Sequence, residues 1–472
     1  MEIEKKLIKD ILNTLANNKD ILSATIVGSI LEKKIDEISD VDIVVILDVI
    51  TLKKIKLVKT QLLELIPSNY KTNKIFKVND TFGPLKFDDE YTLVFHLMIN
   101  DTESHIEHVI QSPFTCFDWE RSSLFVKKSL SEIYSVKSLM FNDFFNLRRG
   151  IDSYLNDLSS NKITFRRLVN DQSGNITEKE ESYSLDEKHL VEYCYHIIKN
   201  TITNLLKVVN KHNIRYSDED ILIHWSKNFP ENYIEYSELF TKLSIFKKNK
   251  RYEGNEFICE TTNFLSDIYI KLKHIYDYST KITILRHLET PENDGRFLGQ
   301  NSNPGIKKNP YISQNLKKLK DLNNNCYSSP SLRAIETAEK IGLEIINTDN
   351  RLNEFNYGKA EGKFFKEFIG DYPDIKLAIE QKRDFKFPDG ESYSEINIRL
   401  LNLINELDQD TTLISHQGTI RSLVGYLLNI PIHLWYEIQI PYGEPIEIIK
   451  IDQELYLNIE RKLLEKIVRN IK

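Results

Sequence analysis

Apolar positions along the chain fall into three successive regimes. The opening stretch MEIEKKLIKDILNTLANN has the three-and-four spacing of an amphipathic helix. Residues 21–48 then give two β-branched runs, ILSATIVG and VDIVVILD, that read as strands around a short polar connection. A helical stretch, TLKKIKLVKTQLLELI, and a further strand, YTLVFHLMI at 91–99, complete an α/β unit. From about 125 to 278 helical spacing takes over, in EKHLVEYCYHIIKNTITNLLKVVNKH and NEFICETTNFLSDIYIKLKHIYDY. Within that region NDQSGNITEKEES, around 170–182, is polar enough for a loop or a small hairpin, and SIFKKNKRYEG, near 244–254, reads as a turn between helices. At 281 the run KITILRH begins an alternation of strands and helices that continues to the end, which predicts a largely parallel sheet covered on both faces. The expected class is therefore multidomain α/β: a small mixed-sheet domain over 1–125, an α-helical domain over 126–278 and a three-layer α/β/α domain over 279–472.

Length agrees with that division, because 472 residues exceed what one hydrophobic core supports. With 41% hydrophobic and 28% charged residues the composition is that of a folded globular chain. A net charge of −7 and a pI near 6.0 leave no global positive field to recruit nucleic acid. Cys116, Cys194, Cys259 and Cys326 lie far apart without a C-x-x-C pair, which argues against zinc and against a disulfide framework. There is no signal-peptide pattern and no apolar run approaching the roughly 18 residues of a membrane span. A cytoplasmic protein without a membrane or nucleic-acid partner is expected.

Two constellations carry chemistry. In IVGSILEKKIDEISDVDIVVIL, Gly28 and Ser29 end one strand, while Asp40 and Asp42 begin the next on one face of it. Two converging carboxylates suit Mg²⁺, which completes its octahedron with water and substrate phosphates. Gly28 lets backbone approach a phosphate, and the Ser29 amide and hydroxyl can donate to its oxygens. A bare Asp-x-Asp is also an ordinary turn ending; the Gly-Ser before it and the hydrophobic strand after it favour a site. This stretch resembles the polymerase-β-like nucleotidyltransferases over about residues 15–125, through G28-S29 and S39-D40-V41-D42. The resemblance implies Mg²⁺-dependent nucleotidyl transfer from a nucleoside triphosphate to an acceptor oxygen, with release of pyrophosphate. The helical region that follows is similar to the partner domain of small-molecule members. Family members also carry a third carboxylate on a later strand. The matching run YTLVFHLMIND offers His96 at its centre and Asp101 beyond its end. His96 either stands in for the acid or is a core histidine.

The second constellation is spread over ILRHLETP, ENDGRFLGQ, NNNCYSSPSLRAIETAEKI, RLNEFNYGKAEG, PDGES and TTLISHQGTIRSLVGYLL. Arg286, Arg333 and His416 are suited to clamp a phosphate monoester. His287 can attack phosphorus through a neutral imidazole nitrogen, and Glu354 can protonate the leaving oxygen. Singly each fragment has a bland account; Ser329 or Ser331, for instance, with Pro330, would merely start a helix. In this order, at strand ends and helix starts, the set resembles the histidine phosphatase superfamily, the phosphoglycerate-mutase-like fold, over about 281–472. The resemblance implies His287 as the phosphorylated nucleophile, Arg286, Arg333 and His416 as the phosphate pocket, and Glu354 as the proton donor. It also brings Asn293 and Arg296 toward the substrate and calls for no metal. Leu288 replaces the family's usual Gly, which narrows backbone freedom beside the nucleophile. The stretch Y357-G358-K359-A360-E361-G362 is similar to the phosphatase branch rather than the mutases, and Gly390-Glu391-Ser392 is expected to be a structural, capped turn.

Together these readings predict a bifunctional enzyme acting on a nucleoside triphosphate and a small phosphorylated metabolite. The alternative is a phosphatase whose N-terminal region is a nucleotide-binding or interaction module without transfer activity.

Overall fold

The computed structural model describes residues 2–471 except 29, 31–33, 39, 80, 83–90, 136–138, 147–149, 171–175, 186, 211–215, 250–255, 292–294 and 323–324. The chain divides into two compact units, one of residues 1–136 and 143–272, the other of 137–142 and 273–471.

In the first unit a helix, Glu2–Ala16, buries Leu7, Ile8, Ile11 and Leu15, the apolar stripe of the opening stretch. That stripe packs in one cluster with the inner faces of a five-stranded mixed sheet. The sheet uses β1 (Ile21–Val27), β2 (Asp40–Leu47), β3 (Ile75–Asn79), β5 (Thr92–Asp101) and β6 (Phe125–Lys127), in the order β3-β5-β2-β1-β6. β2 runs antiparallel to β1 and parallel to β5, and residues 43–47 of β2 are buried throughout, as expected for a central strand. A helix at Leu52–Leu63, capped by the Thr51 hydroxyl, separates β2 from β3.

The remainder of this unit is mainly helical, with long helices at Glu187–Asn210, Asp218–Asn228 and Pro230–Lys248 and most of the helix Glu256–Tyr278, whose residues from 273 on belong to the second unit. The expected helical stretch is interrupted by an antiparallel hairpin of β7 (Lys162–Asn170) and β8 (Ile176–Ser184), which β4 (Thr81–Phe82) joins as a third strand. Residues 176–182 of the polar run thus lie in β8, with 171–175 outside the described residues, and in the backbone register Glu180, Glu181 and Lys179 stand opposite Arg166, Phe165 and Arg167. Near 244–254 the helix persists through Lys248, and residues 250–255 lie outside the described part.

The second unit is built on a six-stranded sheet of β9 (Thr280–Arg286), β10 (Asn325–Ser328), β11 (Ile345–Thr348), β12 (Thr411–Ser415), β13 (Ile446–Ile451) and β14 (Glu454–Asn458), in the order β11-β10-β12-β9-β13-β14. The first four are mutually parallel, and every residue of β12 is buried. The sheet is less parallel than the alternation predicts, because β13 and β14 are antiparallel. Only Asp452 and Gln453 join Ile451 to Glu454, a two-residue connection that forces a hairpin, and Asp452 takes the positive φ of 52° that such turns demand.

Candidate active site

Three adjacent parallel strands end level with one another. Arg286 of β9 pairs with Ser415 of β12, and Ile414 of β12 pairs with Ser328 of β10. One residue further on stand His287, His416 and Ser329, at the carboxyl ends of the strands, where open α/β sheets place their ligands. The backbone continues the ladder there, with His287 N–H on the Ser415 carbonyl at 3.0 Å and Ser329 N–H on the Ile414 carbonyl at 2.9 Å. His287 and His416 are 3% and 0% exposed, with ring centres 5.1 Å apart.

The hydrogen bonds assign both imidazoles. His287 Nδ1 lies 2.6 Å from the Leu288 carbonyl, an acceptor only, so Nδ1 carries the proton and Nε2 keeps its lone pair. Burial, then the charges of Arg286 and Arg333, hold the His287 pKa well below 6.5, which keeps it neutral. His416 is the opposite tautomer: Arg333 Nε–H donates to its Nδ1 at 3.2 Å, so Nε2–H donates to Ser329 Oγ at 2.9 Å. Burial, His287 and the arginines hold His416 neutral too.

Arg286 lies against the Tyr442 ring, its guanidinium carbon 3.5 Å from the ring centre, and gives Nη1–H to the Ile440 carbonyl at 3.0 Å. Its Nε–H is buried and has no partner among the described residues. Burial lowers the Arg286 pKa, the mark of a guanidinium stripped of water. Arg333, 1% exposed, spends Nη1 on the Ser302 carbonyl and Nη2 on the Gly299 carbonyl, so it builds the pocket wall as well as charging it. Among the described residues no carboxylate forms an ion pair with either guanidinium. Glu354 is 7% exposed, and its Oε1 accepts from the Phe355 and Gly418 amides at 2.8 and 2.9 Å. With Oε1 so occupied, a proton on this carboxyl belongs on Oε2. Arg296 is exposed on its loop with its guanidinium over the Phe364 ring, and the neighbouring Phe297 amide is tied to the Lys363 carbonyl. Asn293 lies outside the described residues.

In the first unit, Asp42 pairs across the sheet with His96 and with Val27, next to Gly28. His96 Nδ1 lies 2.8 Å from Asp42 Oδ1. Gly28 has φ +83°, and a Cβ there would stand 2.8 Å from Asp42 Oδ2. The glycine is therefore required twice, by its backbone and by the carboxylate against it. Asp40, two residues before Asp42, is likewise part-exposed, whereas Val41 between them is buried, as the alternation predicts. His96, the histidine at the centre of the later strand, is thus tied to Asp42. Asp101 instead caps the following helix, accepting from the Ser104 amide at 2.9 Å. Ser29 lies outside the described residues, and no group of three metal-binding side chains is found among those that are described.

Residues 282–456 match the model of the histidine phosphatase superfamily (branch 1). This part of the chain is a domain of the histidine phosphatase superfamily. Human 6-phosphofructo-2-kinase/fructose-2,6-bisphosphatase 1 is 24% identical over 286 residues, covering 56% of this chain and 54% of that protein. Human 6-phosphofructo-2-kinase/fructose-2,6-bisphosphatase 4 is 31% identical over 178 residues, 35% and 36% of the two chains. The fructose-2,6-bisphosphatase of Saccharomyces cerevisiae is 26% identical over 157 residues, 32% and 34%. The chain spans about half the length or less of these relatives. Among solved structures, mycobacterial hydrolase 1 aligns with a TM-score of 0.32 at 22% identity, covering 38% of this chain and 97% of that one.

The histidine phosphatase domain also holds residues that the motifs did not point to. The Ser331 hydroxyl, expected to cap a helix, instead lies 3.2 Å from His416 Nε2, and Ser329 passes its own proton to Asn353 Oδ1 at 3.0 Å. Arg421 donates Nε–H to the Ile438 carbonyl and Nη1–H to the Tyr393 hydroxyl, and its charge acts on Arg286 and Tyr357. Its spacing of five residues after His416 was the available signal. Leu288 is accommodated where Gly was expected. It does not take positive φ, its amide donates to Thr337 Oγ1 at 2.9 Å, and its side chain is buried with Leu285, Leu316 and Ile414.

Proposed function

We propose that the histidine phosphatase domain hydrolyses phosphomonoesters through a phosphohistidine on His287. The observation that carries this reading is the buried Nε–H of Arg286, without a partner among the described residues, beside a neutral imidazole whose Nε2 lone pair is available. Leaving such a donor unmade costs about 1–3 kcal/mol, and a phosphate oxygen would satisfy it. His287 Nε2 attacks phosphorus; the bond to the ester oxygen breaks, and that oxygen takes the proton from Glu354 Oε2. The Glu354 carboxylate then takes a proton from water as its oxygen attacks phosphorus, which frees His287 and inorganic phosphate. His416 Nε2–H would exchange Ser329 for a phosphate oxygen, while Arg286 and Arg333 offset the charge. The relatives' names support a phosphorylated sugar as substrate class. His287→Ala should abolish phosphate release from p-nitrophenyl phosphate by about 10³-fold or more; retention of activity would dismiss the nucleophile.

For the first unit we propose nucleotidyl transfer to a small-molecule acceptor. Asp40 and Asp42 would hold Mg²⁺, which when bound neutralises the phosphates of a nucleoside triphosphate. Gly28 keeps backbone clear of the Asp42 carboxylate, and His96 fixes that carboxylate's orientation. The engagement of Asp42 by His96 also favours a second reading, a nucleotide-binding module without transfer. Pyrophosphate release from labelled nucleoside triphosphates, lost in Asp40→Ala and Asp42→Ala, supports transfer; binding without release supports the module.

A further inference from the structure

We propose that Arg399 is a positioning residue for the proton donor, and that the Gly390-Glu391-Ser392 turn exists to hold Arg399 in place. The proposal rests on the phosphohistidine reading with Glu354 as the acid. Glu354 sits in residues 351–357, a segment with no ladder of its own beyond a short 3-10 turn at Asn350–Leu352. Its carbonyls need outside donors, since buried backbone groups are almost always paired.

Side chains supply them, residue by residue. Ser415 Oγ donates to the Leu352 carbonyl at 2.7 Å and Thr419 Oγ1 to the Asn353 carbonyl at 2.6 Å, which ties the segment to the residues flanking His416. Gln300 Nε2 donates to the Glu354 carbonyl at 2.8 Å. Arg399, on the helix Tyr393–Glu406, reaches three carbonyls at once: Nη1 donates to Arg351, and Nη2 to Asn353 at 2.8 Å and Glu354 at 3.2 Å. No other side chain spans the segment in this way among the described residues.

The guanidinium is itself held by Glu391, whose Oε1 accepts from Nε at 2.9 Å and whose Oε2 accepts from Nη2 at 3.2 Å. The same Oε2 accepts from the Asn356 amide at 2.9 Å, and the Glu391 amide donates to the Asn356 carbonyl at 2.9 Å. Both side chains are about four-fifths buried, so the pair is a fixed fork rather than a solvated surface bridge. The clamp thus grips the chain on both sides of Glu354. A planar five-donor fork can do this, whereas a lysine ammonium cannot reach three carbonyls and a carboxylate from one point.

An acid held a little out of place fails where the leaving oxygen is basic and matters little where it leaves unaided. The test compares kcat/KM, which reports transfer to His287, for glycerol phosphate, phenyl phosphate and p-nitrophenyl phosphate in the parent protein, Arg399→Lys and Glu354→Gln. Thermal melts establish that each variant is folded. Arg399→Lys should fall by about 10–100-fold on glycerol phosphate and far less on p-nitrophenyl phosphate, with phenyl phosphate between them. Glu354→Gln should show the same ordering more steeply. A uniform loss across the three substrates in Arg399→Lys, or no loss on glycerol phosphate, overturns the positioning role while leaving Glu354 as the acid. If Glu354→Gln itself lacks the ordering, the reading of Glu354 falls and takes this inference with it.

Discussion

Gly418→Ala isolates the placement of the acid from its chemistry. A Cβ at this position would lie 2.6 Å from Glu354 Oε1, about 0.8 Å inside ordinary contact, and 3.1 Å from the Phe355 Cβ. The nearest obstacle is the free end of a side chain, so the protein relieves the clash by swinging the carboxylate away. The stability cost should then stay near about 1 kcal/mol, the low end for overpacking. Function has no such relief. The Gly418 amide that donates to Oε1 belongs to the residue that carries the new methyl group, so the carboxyl gives up that one of its two amide anchors as it moves. A displacement of about 1 Å costs on the order of 10²-fold in rate. Turnover of glycerol phosphate should drop by that factor, while p-nitrophenyl phosphate, whose leaving group needs no proton, should drop much less. Urea denaturation of the same preparation supplies the stability term. If Gly418→Ala turns over glycerol phosphate within about twofold of the parent protein, the carboxylate does not depend on this contact and the reasoning fails.

Three further outcomes are expected. His287 and His416 are held neutral in the folded protein with pKa values well below 6.5, so unfolding takes up protons in acid. Stability should be complete above pH 6.5 and fall below it by up to about 1.4 kcal/mol per pH unit for each histidine, and urea melts of the parent and His416→Gln at pH 7.5 and 5.5 would measure the slope. Tyr442→Ala removes the ring under Arg286, worth about 0.5–2 kcal/mol, and should weaken inhibition by orthophosphate by about 2–30-fold; an unchanged inhibition constant would show that the ring does not support the guanidinium. Gly28→Ala forces a side chain into a positive-φ site against Asp42, and should reduce nucleotide-dependent pyrophosphate release by about 10²-fold while p-nitrophenyl phosphate turnover in the same sample is unchanged.

The strand ends were legible because the buried β-branched and apolar runs Ile282-Thr283-Ile284-Leu285 of β9 and Thr411-Thr412-Leu413-Ile414 of β12 each give way to a polar residue followed by a histidine. Arg286, His287, Arg333, Glu354 and His416 could be read from local motifs, and the fold brings most of their polar groups to one place. Strand direction was less accessible. Ile446–Ile451 is as apolar as a parallel strand, and only the two-residue connection at Asp452-Gln453 betrays the hairpin. The supporting residues were hidden for a different reason. Arg399 contacts carbonyls 45 to 48 positions away, and backbone carbonyls have no sequence identity to search for. His96 could be placed on its strand, yet its partner Asp42 lies 54 residues earlier and is fixed by register alone.

Leu288 links the chemistry to the cooperativity of folding. The amides of His287 and Leu288 are held by the Ser415 carbonyl and the Thr337 hydroxyl, and the Leu288 side chain sits in the cluster with Leu285, Leu316 and Ile414. The nucleophile cannot fray on its own, because opening its backbone requires pulling a leucine out of the core. In native-state hydrogen exchange these two amides should belong to the slowest class, exchanging only when the whole unit opens. Partial activity in a destabilised preparation would then count intact molecules rather than loosened sites.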